Sequence, residues 1–274
     1  ESPLLKAAPI RGVEILHAFF ISPRTHRDFF WVFVIRVFYY MGVSVQAFML
    51  FYLSDVTLPL HMPHEHSTQV SAQYYTSLIA LIGQCSACFV AVPLGKLSDR
   101  LGRKPLITFS CGCMATCYLC FCAAPPVWAV LSLGFLYGCG NGCFITVDYA
   151  LAVEVLPNKD EAAKDLGIWG IAAFIGSTAG PIVCGPMLHV IGHRLEHDNQ
   201  RGTAMSTADD EWPPSLADSP DSLASRTFGP HGSGELKYAL RGYVAIMLIG
   251  AMYVMLAAYL LRYVKSKRVA SSDA

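Results

Sequence analysis

The sequence predicts an all-α membrane protein, a bundle of six transmembrane helices. Hydrophobic residues make up 54% of the 274 residues, and only 15% are charged. Soluble domains carry about 25% charged residues, so this composition favours a membrane protein. Six apolar stretches are each long enough for the roughly 20 residues that a helix needs to cross a bilayer. Lipid offers the backbone no hydrogen bonds, so each stretch is predicted to be helical.

The six predicted spans and their connections follow from the apolar pattern. The spans cover residues 29–53, 73–94, 106–124, 126–152, 166–190 and 242–263. Residues 1–28 form either a linker or an amphipathic helix on the membrane surface. The stretch 191–237 is rich in Ser, Asp, Pro and Gly and is predicted to be a disordered extracytoplasmic loop, and residues 264–274 form a tail.

The distribution of positive charge predicts the orientation. Lys and Arg residues concentrate in the amino-terminal segment, in 95–105, in 153–165 and near the carboxyl terminus, whereas 54–72 contains none. Short loops rich in Lys and Arg face the cytoplasm. We therefore expect an integral, multi-pass protein with both termini in the cytoplasm.

The stretch from Leu94 to Pro105 is the most specific pattern in the chain. It reads L-G-K-L-S-D-R-L-G-R-K-P and is predicted to be a short hairpin between two apolar runs. Its glycines permit close helix approach and a tight turn, and its cations favour the cytoplasmic face. The residues that carry the pattern are Gly95, Asp99, Arg100, Gly102, Arg103 and Lys104.

This signature stretch resembles the signature loop of the major facilitator superfamily of membrane transporters. The resemblance extends over residues 29–263. It implies a conformational latch in which the carboxylate of Asp99 binds the start of the fifth helix, whose free amide groups attract an anion. The alternative is that the charges only fix the topology.

The family resemblance also implies an architecture and a mechanism. Such transporters have twelve helices in two six-helix repeats. They bind substrate between the two halves and move it across the membrane by alternating access. The region from Asp148 to Gly167 and the basic tail favour the carboxyl-terminal half for this chain, although the first half stays open. The implied partners are the bilayer, the other six-helix half, a small-molecule substrate and a coupling ion.

Arg36 and Asp148 are charged residues inside the first and fourth predicted spans. A lone charge at a helix centre costs about 2.5–3.5 kcal/mol on insertion scales, so such residues tend to be paired and functional. Both lie at similar depth from the cytoplasmic side, given a rise of about 1.5 Å per residue. They form either a gate or proton-linked site or a static ion pair.

Polar residues near the bilayer midplane are candidates for the substrate site, because transporters of this type bind substrate at that depth. They either contact substrate or bond a neighbouring helix. Their neutral, hydrogen-bonding character favours a polar solute, possibly sugar-like. These residues are Tyr39, Tyr40, Gln46, Gln84 and Asn141.

The predicted fifth helix contains closely spaced glycines, two of them followed directly by proline. Small residues four apart let helices approach closely in lipid, and prolines can kink a helix. The run resembles the G-x-x-x-G-P motif of antiporters in the same superfamily, although its glycine spacing is imperfect. Its residues are Gly176, Gly180, Pro181, Gly185 and Pro186.

Two other classes of protein are alternatives to a transporter. One is a non-transporting membrane scaffold, a half-facilitator inside a larger complex. The other is a thiol or metal enzyme, suggested by Cys85-x-x-Cys88, Cys117-x-x-Cys120 and the cluster of His61, His64 and His66. Packed membrane cysteines and a solvated loop explain these patterns better, so we predict no enzyme, no metal site and no cofactor. Zero net charge also argues against nucleic-acid binding.

Overall fold

Every regular element that the structure describes is a helix. The computed structural model describes residues 26–61, 68–156, 162–207 and 240–264, with only the backbone described for 68–69 and 192–207. The helices are α1 (Arg27–Val43), α2 (Met49–Tyr52), α3 (Leu58–His61), α4 (Thr68–Leu101), α5 (Arg103–Phe121), α6 (Val127–Glu154), α7 (Ala162–Thr207) and α8 (Leu240–Leu260). The predicted all-α class is confirmed.

Six helical stretches in the described ranges are long and apolar enough to cross a membrane. In chain order these spans are Arg27–His61, Val70–Leu101, Arg103–Phe121, Val127–Glu154, Ala162–Ile191 and Leu240–Tyr263. The first span comprises α1 to α3, joined by a 3₁₀ segment at Ser44–Phe48 and a π segment at Leu53–Thr57. Most spans extend a few residues beyond the predicted apolar limits, because a helix continues into the interface once it is nucleated.

The spans pack in a spatial order that differs from their order along the chain. The fourth span packs against the second and third, and the sixth packs against the first, third and fifth. The first span also packs against the fifth. The bundle therefore runs 2–4–3–6–1–5, which leaves the second and fifth spans at its edges. Only 6% of the apolar window of the second span is buried, against 50% for the third.

The core lies between the first, third, fourth and sixth spans. Tyr39, Tyr118, Phe144 and Val254 are all buried there. The Tyr118 hydroxyl donates a hydrogen bond to the carbonyl oxygen of Gly42 at 2.7 Å. This bond joins the third span to the first and satisfies a tyrosine hydroxyl that would be costly to bury unpaired.

The signature stretch reverses the chain as predicted, but it is mostly helical and its turn is much shorter than expected. Helix α4 continues to Leu101, helix α5 begins at Arg103, and only Gly102 lies between them. Gly102 has φ +89° and ψ 158°, a conformation that is essentially restricted to glycine. Pro105 lies in the first turn of α5, where a missing N–H costs no helical hydrogen bond. One glycine is therefore sufficient to reverse the chain.

The first part of the predicted disordered loop is helical. Helix α7 continues to Thr207, so the backbone of 191–207 is helical rather than disordered. Leu195, Glu196 and Ala204 are good helix formers, and the preceding span supplies the nucleus. The remainder of the predicted loop, residues 208–237, falls outside the described residues, as do residues 1–25 and 265–274.

Candidate functional site

A cavity of about 170 Å³ opens among the first, second, third, fourth and sixth spans. Three of the predicted substrate-site residues, Gln46, Gln84 and Asn141, line it. The Tyr137 hydroxyl donates a hydrogen bond to Gln46 Oε1 at 3.0 Å. The other lining residues are Val45, Met49, Thr76, Ile79, Ala80, Gly83, Tyr118, Phe121, Gly134, Gly138 and Met247. The cavity thus combines apolar walls with a few amide and hydroxyl groups, the usual composition of a small-molecule site.

Tyr39 and Tyr40 do not line this cavity. Tyr39 is fully buried behind it, where its ring stacks on Phe144 with centroids 3.3 Å apart. Its hydroxyl donates to Asn141 Oδ1 at 3.1 Å. Tyr39 therefore orients the Asn141 amide from behind, while Tyr40 lies at a separate cluster of charged and aromatic residues.

That cluster is centred on an ion pair between Arg36 and Asp148. Arg36 Nη1 donates a hydrogen bond to Asp148 Oδ2, and the side chains are 8% and 1% exposed. Arg36 Nη2 also donates to the Tyr40 hydroxyl at 3.4 Å. The guanidinium carbon lies 3.4 Å from the centroid of the Trp169 ring, a cation–π contact between the first and fifth spans. The cluster therefore joins the first, fourth and fifth spans.

Three polar atoms of this cluster are buried without a hydrogen-bond partner among the described residues. They are Arg36 Nε, Asp148 Oδ1 and Trp169 Nε1. Two of these atoms are donors, and Asp148 Oδ1 is an acceptor with free lone pairs. A buried polar atom without a partner is destabilising. The carboxylate oxygen can therefore accept a proton, or a hydrogen bond from a small molecule.

The cations of the signature stretch contact the ends of other spans. Arg103 Nη1 donates to the carbonyl oxygen of Ala150 and lies 2.8 Å from Glu154 Oε2. Lys104 Nζ donates to the carbonyl oxygen of Val264. Arg103 thus joins the third span to the fourth, and Lys104 joins it to the end of the sixth.

The contact implied for Asp99 is absent from the described ranges. Asp99 and Arg100 are exposed at the end of α4, and no hydrogen bond or ion pair of their side chains is found within those ranges. Gly95 of the same stretch lies beside the fourth span, where an added Cβ would be 3.5 Å from Thr146 Cγ2. The structure therefore does not bring Asp99 to the start of the fifth span.

The glycines of the fifth span pack against the first. A Cβ at Gly176 would lie 2.7 Å from Tyr40 Cβ, and one at Gly180 would lie 2.8 Å from the Met41 carbonyl oxygen. Gly185 is looser, with its nearest neighbour 4.0 Å away. Helix α7 continues through Pro181 and Pro186.

A second glycine face was missed by the sequence analysis. Gly134, Gly138 and Gly142 are four residues apart on α6 and face the second span. A Cβ at Gly142 would lie 2.7 Å from the Ala87 Cα, and one at Gly134 would lie 2.9 Å from Ile79 Cγ2. The spacing is readable in the sequence and predicts this close approach.

The patterns that suggested an enzyme gain no support. All ten cysteines are free, and several, including Cys111, Cys117, Cys143 and Cys184, are buried in the bundle. No group of three metal-ligating side chains occurs within the ranges that the structure describes. His61 Nε2 is 3.1 Å from the carbonyl oxygen of Ala124, and His64 and His66 lie outside the described residues.

The six long apolar helices define a multi-pass integral membrane protein. The family model of the Major Facilitator Superfamily matches residues 7–195, more than half of the chain. The chain therefore belongs to the Major Facilitator Superfamily. No solved structure was found to match it.

Three relatives share parts of the sequence. A probable peptide/nitrate transporter of Arabidopsis thaliana is 29% identical over 112 residues, 41% of this chain and 23% of the relative. A class H tetracycline resistance protein of Pasteurella multocida is 29% identical over 122 residues, which are 44% of this chain and 30% of the relative. A methylenomycin A resistance protein of Streptomyces coelicolor is 26% identical over 98 residues, which are 36% of this chain and 21% of the relative. Each match spans less than a third of the relative.

Proposed function

We propose that this chain forms one half of a secondary active transporter that moves a small polar solute by alternating access. The observation that carries the proposal is the cavity of about 170 Å³ with amide groups inside an apolar bundle. Membership of the superfamily supports it, and so do relatives that are named as a transporter and as resistance proteins. The same family membership argues against an enzyme.

The cavity chemistry favours a polar, uncharged solute. Gln46, Gln84 and Asn141 offer donors and acceptors but no charge. A hydroxyl-rich, sugar-like molecule can use both kinds of group. The relatives name other solutes, namely peptide or nitrate, tetracycline and methylenomycin A. A sugar, nitrate, a peptide and tetracycline are therefore the four substrates to be tested.

The pair of Arg36 and Asp148 is the proposed site of ion coupling. It is buried and bridges three spans, and Asp148 Oδ1 has no partner among the described residues. Binding of a proton there would weaken the attraction to Arg36 and loosen the contact between the first and fourth spans. Such an event links ion binding to helix movement, which a coupled transporter requires.

A second six-helix half would cover the edges of this bundle. The second and fifth spans lie at those edges and carry exposed apolar side chains, including Phe89, Val92, Phe174 and Ile182. Large exposed apolar surfaces mark contacts with lipid or with another protein. The carboxyl-terminal half remains the assignment for this chain, with both termini cytoplasmic. Asp99 is the latch that would close against the fifth span in the other conformation.

Uptake by the full-length protein in proteoliposomes tests the proposal. The probes are labelled D-glucose, nitrate, a dipeptide and tetracycline, each with and without a proton gradient. Replacing Gln84→Ala removes an amide from the cavity wall. A lost hydrogen bond of about 0.5–1.5 kcal/mol should lower uptake of the transported probe about twofold to tenfold.

The matched control is Gln73→Ala, which is on the same helix and is exposed like Gln84 but does not line the cavity. Its uptake should equal that of the unmodified protein. Equal uptake by the Gln84 and Gln73 variants would remove the cavity from the transport path. Absence of uptake for every probe, in protein that is correctly folded, would favour the scaffold alternative.

A further inference from the structure

A groove of about 290 Å³ lies between the start of the third span and the end of the sixth, outside the cavity described above. Its floor is apolar and its rim is cationic. No acidic residue lines it in the described part of the chain. The lining residues are Lys104 and Thr108 from α5, with Met255, Ala258, Tyr259, Leu261 and Arg262 from the sixth span.

Two cationic side chains and two side chains with hydroxyl groups line the groove. The Lys104 ammonium donates to the Val264 carbonyl oxygen, which fixes the position of the charge and leaves further N–H donors. The Arg262 guanidinium lies 5.2 Å from the centroid of the Tyr259 ring. Thr108 is exposed beside them. Lysine and arginine side chains in this arrangement are suited to a phosphate oxygen.

Aromatic residues place the groove at the membrane–water boundary. Trp31 stacks on Tyr263 with ring centroids 4.9 Å apart, and Tyr259 contacts Tyr263 edge-on. Tryptophan and tyrosine concentrate at the depth of the lipid headgroups. One turn further into the bilayer, Met255 is 52% exposed. The groove is therefore cationic at headgroup depth and apolar at acyl-chain depth.

We propose that this groove binds an anionic phospholipid, with the headgroup phosphate between Lys104 and Arg262 and an acyl chain along Met255. The bound lipid would bridge the signature stretch and the end of the sixth span. The proposal does not depend on the identity of the transported solute. A free phosphate shares the headgroup chemistry but has no group for the apolar floor.

Native mass spectrometry of the delipidated full-length protein tests the site. The protein is titrated with dioleoylphosphatidylglycerol, dioleoylphosphatidylcholine or inorganic phosphate at a fixed detergent concentration. We expect phosphatidylglycerol to be retained in preference to phosphatidylcholine, and inorganic phosphate to give no retained adduct. Arg262→Gln and Lys104→Gln should each weaken phosphatidylglycerol binding about fivefold, the effect of removing one cation near an anionic headgroup.

The control is Lys96→Gln, an exposed cation of the signature stretch that does not line the groove. It should bind phosphatidylglycerol like the unmodified protein. Equal losses in the Lys96 and Arg262 variants would overturn the proposal, because they would indicate general charge attraction. Equal retention of both lipids, or retention of inorganic phosphate alone, would also overturn it.

Discussion

Neutralising one member of the buried ion pair should destabilise the bundle far more than neutralising both. In Asp148→Asn the Arg36 guanidinium remains in a site where it is only 8% exposed, without a countercharge. In Arg36→Gln the carboxylate is left alone in the same way. Breaking a buried pair costs about 3–5 kcal/mol, whereas replacing both charges by neutral groups is often nearly neutral. The double variant should therefore lie within about 2 kcal/mol of the unmodified protein.

Thermal unfolding of the detergent-purified full-length protein measures this difference. A thiol-reactive fluorophore reports unfolding, because Cys111, Cys143 and Cys184 are free and buried in the folded bundle. At roughly 2–4 °C per kcal/mol, each single variant should lose about 6–20 °C in Tm. The double variant should recover most of that loss, because neither position then holds a buried charge without its partner.

Additive losses in the double variant would refute this reasoning, since they would mean that the two charges do not interact. Uptake in the double variant then separates structure from coupling. A stable protein that has lost gradient-driven uptake would agree with the proposed ion site. Full uptake together with restored stability would show that the pair of Arg36 and Asp148 is only structural.

Three glycine substitutions test the backbone geometry with the same fluorophore. Gly138→Ala should lower the stability of the bundle by about 1–3 kcal/mol through overpacking, because the new Cβ would overlap Ser86 and the Gly83 backbone. Gly112→Ala should be neutral or slightly stabilising, because no atom lies within 4 Å of its new Cβ. Equal stability of these two variants would contradict the close packing of the second and fourth spans. Gly102→Ala should cost about 1–3 kcal/mol through backbone strain alone, since no atom lies within 4 Å of the added Cβ. An unchanged Tm for that variant would mean that the left-handed conformation is not required.

The sequence was sufficient to predict the fold class and the depth of the polar groups. It was not sufficient to predict the direction in which each polar side chain points around its helix. Length and hydropathy define each span, and counting 1.5 Å per residue gives a depth, which is how Arg36 and Asp148 could be suggested as partners. The direction in which a side chain points depends on how six helices pack. For this reason Tyr39 and Tyr40 could not be distinguished from the cavity-lining Gln46 and Gln84 before the structure.

Two local features were wrong or missed for different physical reasons. The ends of the two helices at the signature stretch were wrong because charged residues were taken to end a helix, although Lys96 and Arg100 are themselves good helix formers. The face of Gly134, Gly138 and Gly142 was missed although its spacing is visible. The role of Trp169 was not readable, because its contact with Arg36 joins distant parts of the chain.

The single residue between α4 and α5 limits how the second span can move. One residue can extend the chain by at most about 3.6 Å, so the second span cannot slide far along the membrane normal relative to the third. Arg103 and Lys104 fix the start of α5 to the fourth and sixth spans. If the second span moves, it must therefore rotate about Gly102. Such a rotation changes the two torsion angles of Gly102 or bends a helix.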